Sequence, residues 1–339
     1  MSLSYLVLGG ILVVFSVVGI WCTLFYEHSV LCHRQIKITN RVFHDIHILM
    51  CWLTHFGSSP YQWAISHRLH HMFGDVKGLD PYSSIVVGFW RIFFNSAGHL
   101  HKYNSRPGHN DIFPDLQIAG WEKKLFDTGR AWNVLAMYVL FTGVPQVLHN
   151  GTIFSHLLLA LAGVVAGLVG ISVSLIGGGL INSLAHSLKY KIGLWLGWYK
   201  KTLAWDGTTA QNRPIWGWIL RELWHLNHHN RPTVANFGWR KWYQLDLVYQ
   251  FARLWQVVGF VEIKFDGPIR AQEDKLPAWV KNWSEAEDRI AYLKRVMPHV
   301  PPELWEALPE DPIDRCAKVA MCIINGQLEQ GPFDQNELA

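Results

Sequence analysis

The segment HRLHH, residues 67–71, recurs as HLNHH at residues 225–229, so the chain carries the same H-x-x-H-H pattern twice, more than a hundred residues apart. In an α-helix, positions i, i+3 and i+4 share one face, so His67, His70 and His71 can direct three imidazoles into one space. The second triplet can do the same. Three imidazoles held close together favour a bound cation, so the repeat predicts a metal site.

Composition indicates that this site belongs to a membrane protein. The chain has 339 residues, of which 50% are hydrophobic and 17% are charged, whereas soluble chains carry about 25% charged residues. The net charge of +4 comes without a basic run interleaved with aromatics, so nucleic acid is not a predicted partner. The five cysteines form no C-x-x-C pair and predict neither a disulfide framework nor a thiolate metal site.

Three apolar stretches are candidates for crossing the bilayer. Residues 2–26 carry no charge, are long enough to span about 30 Å as a helix, and lack a cleavage site, which predicts a retained anchor. Residues 131–148 and 153–181 are separated only by HNGT and predict a helical hairpin. The glycine-rich second arm suits tilting or close helix packing.

Two further stretches are better suited to the membrane surface. Residues 42–56 are short and carry His44, Asp45 and His47, so they predict an interfacial or shallow re-entrant helix; residues 83–100 predict a second interfacial helix. The predicted fold is an all-α integral membrane protein with three to four transmembrane helices and a histidine-rich di-metal domain.

The number of crossings places every histidine cluster on one side of the membrane. One crossing precedes the first histidines and two more precede Asn182. Lysine and arginine residues are frequent on that side and absent from the HNGT turn, which predicts that the histidines face the cytoplasm. The composition changes near residue 265, so residues 1–264 are predicted to form the membrane domain and residues 265–339 a soluble charged tail.

The remaining candidate ligands are His28, His33 and His186. The first two are five residues apart, about 140° around an ideal helix, so they require a helix end or two separate ions. His186 lies one turn beyond Asn182, whose amide could hold a metal-bound water. Eight or nine imidazoles exceed one tetrahedral ion but suit two ions with four or five ligands each. Imidazole binds Zn, Cu, Fe and Ni, and an all-nitrogen shell with open positions favours iron.

The order of these motifs resembles the membrane fatty acid desaturase family, most closely its acyl-CoA branch of the Δ9 or stearoyl type. H-x4-H is followed by H-x-x-H-H, a hydrophobic hairpin, N-x-x-x-H and a second H-x-x-H-H, and the likeness covers about residues 26–259. YQWAISHRLHHMFGDVKGLDPYSS, NSLAHSLKY and ELWHLNHH resemble segments of that branch. Ser29 and Leu226 depart from its pattern, which usually has Arg and Asn there.

The resemblance implies a di-iron enzyme that uses O2 to remove two hydrogens from a long acyl chain. It implies that Asn182 holds a water and that nine histidines ligate the irons: His28, His33, His67, His70, His71, His186, His225, His228 and His229. Electrons would arrive from an external carrier of the cytochrome b5, ferredoxin or rubredoxin type, since no H-P-G-G haem signature is present.

Several alternatives stay open at the sequence level. Arg68, Arg34 and Lys102 are predicted to bind an anionic headgroup, although Arg68 also suits a simple interfacial side chain. The substrate is a CoA, carrier-protein or lipid ester. The same iron site would support hydroxylation, acetylenic bond formation or oxidative decarboxylation to a terminal alkene. A membrane metal transporter or a zinc-dependent lipid hydrolase is a different class, which metal analysis would distinguish.

Overall fold

The computed structural model describes residues 2–72, 74, 80, 82–84, 87–94, 100, 113–116, 118, 120–186, 210, 212, 221–230, 232–239 and 242–264. These residues are mostly helical, as predicted. The predicted tail at 265–339 and the predicted headgroup residue Lys102 lie outside them.

The elements follow one another in a simple order. They are α1 (Leu3–Trp21), a first π-helix (Cys22–Cys32), β1 (Ile36–Ile38), α2 (Arg41–Thr54), α3 (Pro60–Met72), α4 (Gly120–Thr128), α5 (Arg130–Tyr138), a second π-helix (Val139–Gly143), α6 (Val144–Val147), α7 (Ile153–His186), α8 (His225–Asn230), α9 (Leu247–Val257) and β2 (Val261–Ile263). Single 3-10 turns occupy Pro114–Leu116 and Arg221–Leu223.

Among the described residues, two helical spans are long and apolar enough to cross a membrane, Leu3–Cys32 and Ile153–Val173. Most of their apolar side chains point outward; Val13 is 63% exposed and Leu161 is 62% exposed. The predicted crossing at residues 131–148 is also helical, but it is not one of these two spans. It is shorter, and it contains the polar Asn133 and Gln146.

The interfacial predictions correspond to helices with exposed apolar faces. Val42, Ile46 and Leu49 of α2 are exposed at the spacing of one helical face. Residues 89–94 are helical and expose Trp90 and Phe94.

Close helix packing in the hairpin depends on glycine. A Cβ added to Gly163 of α7 would lie 2.3 Å from the carbonyl oxygen of Phe141, and one added to Gly170 would lie 2.9 Å from the ring of Phe15. Because these positions carry no side chain, α7 approaches α1 and the second π-helix closely, as small residues allow in membrane helices. Leu8, Phe15, Phe141 and other apolar residues fill the interface.

The two ends of this helix cluster differ in composition. At one end, the Ser4 hydroxyl lies 3.0 Å from Nδ1 of His149, so the first turn of α1 meets the turn that joins α6 to α7. At the other end, the first π-helix, α2 and α3 share a separate core that includes Phe25, Tyr26 and Ile65. The histidines of the H-x-x-H-H segments lie at this second end.

A short antiparallel pairing was not predicted from the sequence. β1 pairs with β2, with Ile36 opposite Ile263 and Ile38 opposite Val261. The backbone N–H of Lys264 also donates to the carbonyl oxygen of Gln35 at 3.0 Å. The chain just after the first histidines is therefore held against residues 261–264.

Candidate dinuclear metal centre

The first π-helix explains how His28 and His33 approach each other. In a π-helix the backbone N–H bonds to the carbonyl five residues earlier, so residues five apart lie near one another on its surface. The N–H of His33 donates to the carbonyl of His28 at 3.0 Å, and their ring centroids are 4.6 Å apart. The sequence predicted a helix end at this point. The helix does end after Cys32, but its π geometry was not foreseen.

The two H-x-x-H-H segments come from separate helices. His67, His70 and His71 occupy the last turns of α3, and His225, His228 and His229 occupy the short helix α8. His186 is the last residue of α7. All except His71, which is partly buried, have less than a tenth of their surface exposed.

The nine predicted ligands form two groups, and within each group the potential ligand atoms all lie within 4.8 Å of one another. The first group consists of His28, His33, His67, His71 and His228. The second group consists of His70, His186, His225 and His229. Each H-x-x-H-H segment contributes to both groups, so neither segment forms a site by itself.

The nitrogen positions suit a bound cation. Nε2 of His71 lies 3.2 Å from Nε2 of His67 and 2.9 Å from Nε2 of His228. In the second group, Nε2 of His225 lies 2.6 Å from Nε2 of His186 and 3.0 Å from Nε2 of His229. Two nitrogens bound to one metal ion at about 2.1 Å are themselves about 3 Å apart.

Hydrogen-bond acceptors next to the histidines determine which of the two ring nitrogens faces the site. Nδ1 of His225 lies 3.0 Å from the carbonyl oxygen of Glu222, and Nδ1 of His70 lies 2.8 Å from Oδ1 of Asp80. These oxygens accept hydrogen bonds, so Nδ1 carries the proton and Nε2 presents its lone pair to the other imidazoles. Lone pairs that face one another in a buried space repel unless a cation lies between them. The residues present therefore fit a pair of metal ions.

The protonation state agrees with this arrangement. Burial, followed by the neighbouring positive groups, lowers the pKa values of His33, His67, His225 and His228 well below the ordinary value. Neutral imidazole is the form that binds a metal.

Carboxylates next to the histidines hold them in place. Asp80 also accepts hydrogen bonds from the backbone N–H groups of Tyr82 and Ser83 at 2.8 and 3.1 Å, so its orientation toward His70 is fixed. Oε1 of Glu222 lies 3.2 Å from Nδ1 of His28. Burial raises the pKa of Glu222 to about 8, although the charge of Arg221 opposes the increase. Outer groups of this kind orient metal ligands and tune their basicity.

Arg221 is a buried cation that sequence reasoning missed. Only 2% of its surface is exposed, yet its Nη1 donates to the hydroxyl of Ser29 at 3.0 Å, and its Nε lies 3.5 Å from Asp246 and 3.7 Å from Glu222. Ser29 follows His28 in the H-x4-H motif, at a position where the family that the motifs resemble usually has arginine. Here a guanidinium reaches that position from residue 221. The charged pair Arg221 and Glu222, just before the segment HLNHH, is the sequence signal that could have indicated this buried cation.

The predicted headgroup residues have structural partners. Arg68 donates to the carbonyl oxygens of Leu31 at 2.6 Å and Cys32 at 2.8 Å, and it pairs with Asp115. Arg68 therefore caps the end of the first π-helix. The last carbonyl oxygens of a helix accept no hydrogen bond from within that helix and need a donor from elsewhere. Arg34 pairs with the same Asp115, and 54% of its side chain is exposed. A headgroup role for either arginine stays a prediction.

Asn182 lies close to both histidine groups. It is buried and lines a small cavity together with His28, His67 and His225. About 20 Å³ of this cavity accommodates the centre of a water molecule, which is room for one water. This position suits the predicted role of Asn182, which stays a prediction.

Comparison with known proteins gives the chain its relatives. No protein-family model matches it. It is 26% identical over 259 residues to the Delta-9 desaturase-like 5 protein of Arabidopsis thaliana, covering 74% of each chain. It is 27% identical over 259 residues to Delta-9 acyl-lipid desaturase 1 of the same plant, covering 73% of this chain and 72% of the relative. It is also 25% identical over 281 residues to the plant's chloroplastic palmitoyl-monogalactosyldiacylglycerol delta-7 desaturase, covering 79% and 63%.

Fold and site together define a helical protein with membrane-length apolar helices and two adjoining histidine groups at one end of them. The chain is similar to relatives that are named as fatty acid desaturases, the family that its motifs resemble.

Proposed function

We propose that the protein is a membrane-bound desaturase that uses O2 and two electrons to introduce a double bond into a long acyl chain. The observation that carries this proposal is the convergence of nine imidazoles into two groups in a chain related to desaturases. The reaction converts –CH2–CH2–, O2, two electrons and two protons into –CH=CH– and two water molecules. Half of the electrons that reduce O2 come from the C–H bonds and half from a donor.

The proposed cofactor is a pair of iron ions. His28, His33, His67, His71 and His228 would hold one ion, and His70, His186, His225 and His229 would hold the other, with Asn182 positioning a water. When bound, the two irons would supply the activation of O2 that a saturated C–H bond requires. The protein's own contribution is to orient the acyl chain and to exclude water, for which the buried surroundings of the histidines are suited.

We place the histidine groups at the cytoplasmic face of the membrane. Leu3–Cys32, the apolar hairpin arm at residues 131–148 and the apolar part of α7 would be the crossings. His28 and His186 lie at the same end of these helices, and Arg34, Arg41 and Arg68 belong to that end. The turn that joins α6 to α7 at the other end carries no Lys or Arg. This asymmetry supports the orientation.

We infer the acyl donor and the electron donor from the names of the relatives and from the motif resemblance. Relatives named as acyl-lipid desaturases favour a lipid-linked acyl chain as the substrate, whereas the motif resemblance favours acyl-CoA. Electrons would come from a separate cytochrome b5, ferredoxin or rubredoxin. A hydroxylase, acetylenase or decarboxylase reaction on the same site is not favoured, since the relatives are named as desaturases.

The test is expression of the full chain in a host that lacks its own desaturase, followed by mass spectrometry of the host lipids. We expect a new monounsaturated acyl chain, together with two irons per purified chain. His70→Ala should lose both the product and at least one iron. His149→Ala, which removes a histidine at the opposite end of the helices, should retain both.

Other outcomes would reject the proposal. Hydroxylated acids or terminal alkenes in place of an alkene-containing acid would assign another reaction to the site. Zinc without iron, and no new lipid, would support the transporter or hydrolase class. Supplying acyl-CoA or phospholipid-linked chains to purified protein separates the two acyl donors.

A further inference from the structure

Four side chains with metal-binding chemistry lie between the first π-helix and α2, outside both histidine groups. They are Cys22, Glu27, Cys51 and His55, which are 0%, 3%, 0% and 6% exposed. A carboxylate, an imidazole and two thiols are unusual together in a buried site between apolar helices, because each polar group buried there requires a partner.

Helix geometry explains why these four residues meet. Cys22 and Glu27 are five residues apart on the π-helix, the same separation that brings His28 and His33 together. Cys51 and His55 are four residues apart at the end of α2, where positions i and i+4 share a face. Two pairs from two helices thus provide four ligand groups.

The distances are short enough for a single ion. The possible ligand atoms of Glu27, Cys51 and His55 all lie within 4.8 Å of one another. Nδ1 of His55 lies 3.7 Å from Oε1 of Glu27. The thiol of Cys22 contacts the thiol of Cys51 and lies beside this group of three.

The orientation of His55 indicates a cation. Its Nε2 lies 3.0 Å from the hydroxyl of Thr23, whereas its buried Nδ1 has no hydrogen-bond partner within the described part of the chain. When Nε2 donates to Thr23, Nδ1 presents a lone pair toward a carboxylate. A positive ion between Nδ1 and Glu27 satisfies both groups.

We propose that Glu27, Cys51 and His55 bind one divalent cation of the zinc class, with the Cys22 thiol beside Cys51. Carboxylate oxygen, thiolate sulfur and imidazole nitrogen are all ligands of zinc. Binding replaces the S–H proton of Cys51, which passes to solvent. The ion ties the first π-helix to α2, and its ligands include no member of the two histidine groups.

Cobalt absorption distinguishes this site from the histidine groups. Full-length iron-loaded protein carrying Cys316→Ser and Cys322→Ser, which removes the tail thiols, is titrated with Co2+ alone. We expect one equivalent of Co2+ per chain with a thiolate-to-cobalt absorption band, which an all-imidazole site cannot produce. Zinc should displace the cobalt and abolish the band.

Variants identify the ligands. Cys22→Ser with Cys51→Ser should abolish the band, and His55→Gln should weaken Co2+ binding at least about tenfold, since even outer groups change metal affinity 10–100-fold. Cys32→Ser, a buried thiol outside the cluster, should keep the band. Two irons per chain in each variant show that the fold persists. Absence of the band in the parent protein, or its persistence in the double variant, overturns the proposal.

Discussion

The guanidinium carbon of Arg221 lies 3.7 Å from the centre of the Phe237 ring, and Phe237 stacks on His228 at a ring separation of 4.3 Å. A buried cation therefore reaches the histidine groups through an aromatic ring as well as through Glu222. Its other partners, Ser29 and Asp246, lie far apart in the sequence. Arg221 joins the elements that carry the first and last histidine segments.

Replacing Arg221 with methionine should destabilise the protein strongly. The substitution keeps much of the side-chain volume but leaves Glu222 and Asp246 buried without their cation, which costs about 3–5 kcal/mol. The unfolding temperature in detergent and the iron content should both fall. Arg34→Met is the matched control, since its exposed pair with Asp115 contributes at most about 1 kcal/mol. Equal unfolding temperatures for the two variants would remove the role assigned to Arg221.

Asp80→Asn should weaken metal retention without unfolding the chain. Asp80 holds Nδ1 of His70 at 2.8 Å, and loss of such an outer partner lowers metal affinity about 10–100-fold. Iron remaining after dialysis against a chelator measures the effect. Asp45→Asn, which removes an exposed ion pair with Arg41, serves as the control. Iron retention equal to that of the parent protein would show that Asp80 does not position His70.

Gly163→Ala should separate α7 from the second π-helix. The added methyl group would lie 2.3 Å from a backbone oxygen of Phe141, so the helices must move apart, at a cost of about 1–3 kcal/mol. Gly9→Ala is a suitable control because an added Cβ there meets nothing within 4 Å. Thermal unfolding in detergent should distinguish the variants, and identical unfolding curves would contradict the packing described for the hairpin.

The pair between Asp115 and Arg68 should contribute stability that depends on pH. Burial raises the pKa of Asp115, but the hydrogen bonds and charges of Arg68 and Arg34 outweigh it and hold the pKa below its ordinary value. A carboxylate with a lowered folded-state pKa stabilises the protein above the unfolded pKa of about 4 and loses this contribution as pH falls through the folded value.

The measurement for Asp115 compares unfolding temperatures of the parent protein and Asp115→Asn. The parent should be more stable at neutral pH, and the difference should shrink as the solution becomes acidic. Asp127→Asn, at an exposed pair with Lys123, should show little difference at any pH. A constant difference for Asp115→Asn across the acidic range would show that its charge is not responsible.

The sequence predicted the parts of the site that depend on local spacing. The H-x-x-H-H segments are helical, and the histidines within each share a helix face because positions three and four apart do so whatever surrounds them. As predicted, these histidines lie close to His28, His33 and His186. The division into five histidines in one group and four in the other required the structure. Each group combines residues from at least three elements, and spacing along the sequence does not reveal such contacts.

Two features were not predictable by the same reasoning. The first π-helix changes which residues share a face, whereas ideal α-helical geometry would separate His28 and His33 by about 140° around the helix. The hydrogen bond from Arg68 to Cys32 joins residues 36 positions apart and the one from Arg221 to Ser29 joins residues 192 positions apart, so no periodic pattern reveals them. The sequence predicts a role for a basic residue near a membrane from its charge. In the fold, Arg68 and Arg221 are also hydrogen-bond donors to buried oxygens.

The pairing of β1 with β2 has a consequence for the order of events during synthesis. The residues that follow His33 find their β partner only when Val261–Ile263 has left the ribosome, and the last histidines emerge shortly before. The entropy cost of closing a chain segment of this length opposes the pairing until the contact itself has formed. Neither histidine group is complete until the chain has been synthesised to the second H-x-x-H-H segment, because His228 belongs to one group and His229 to the other.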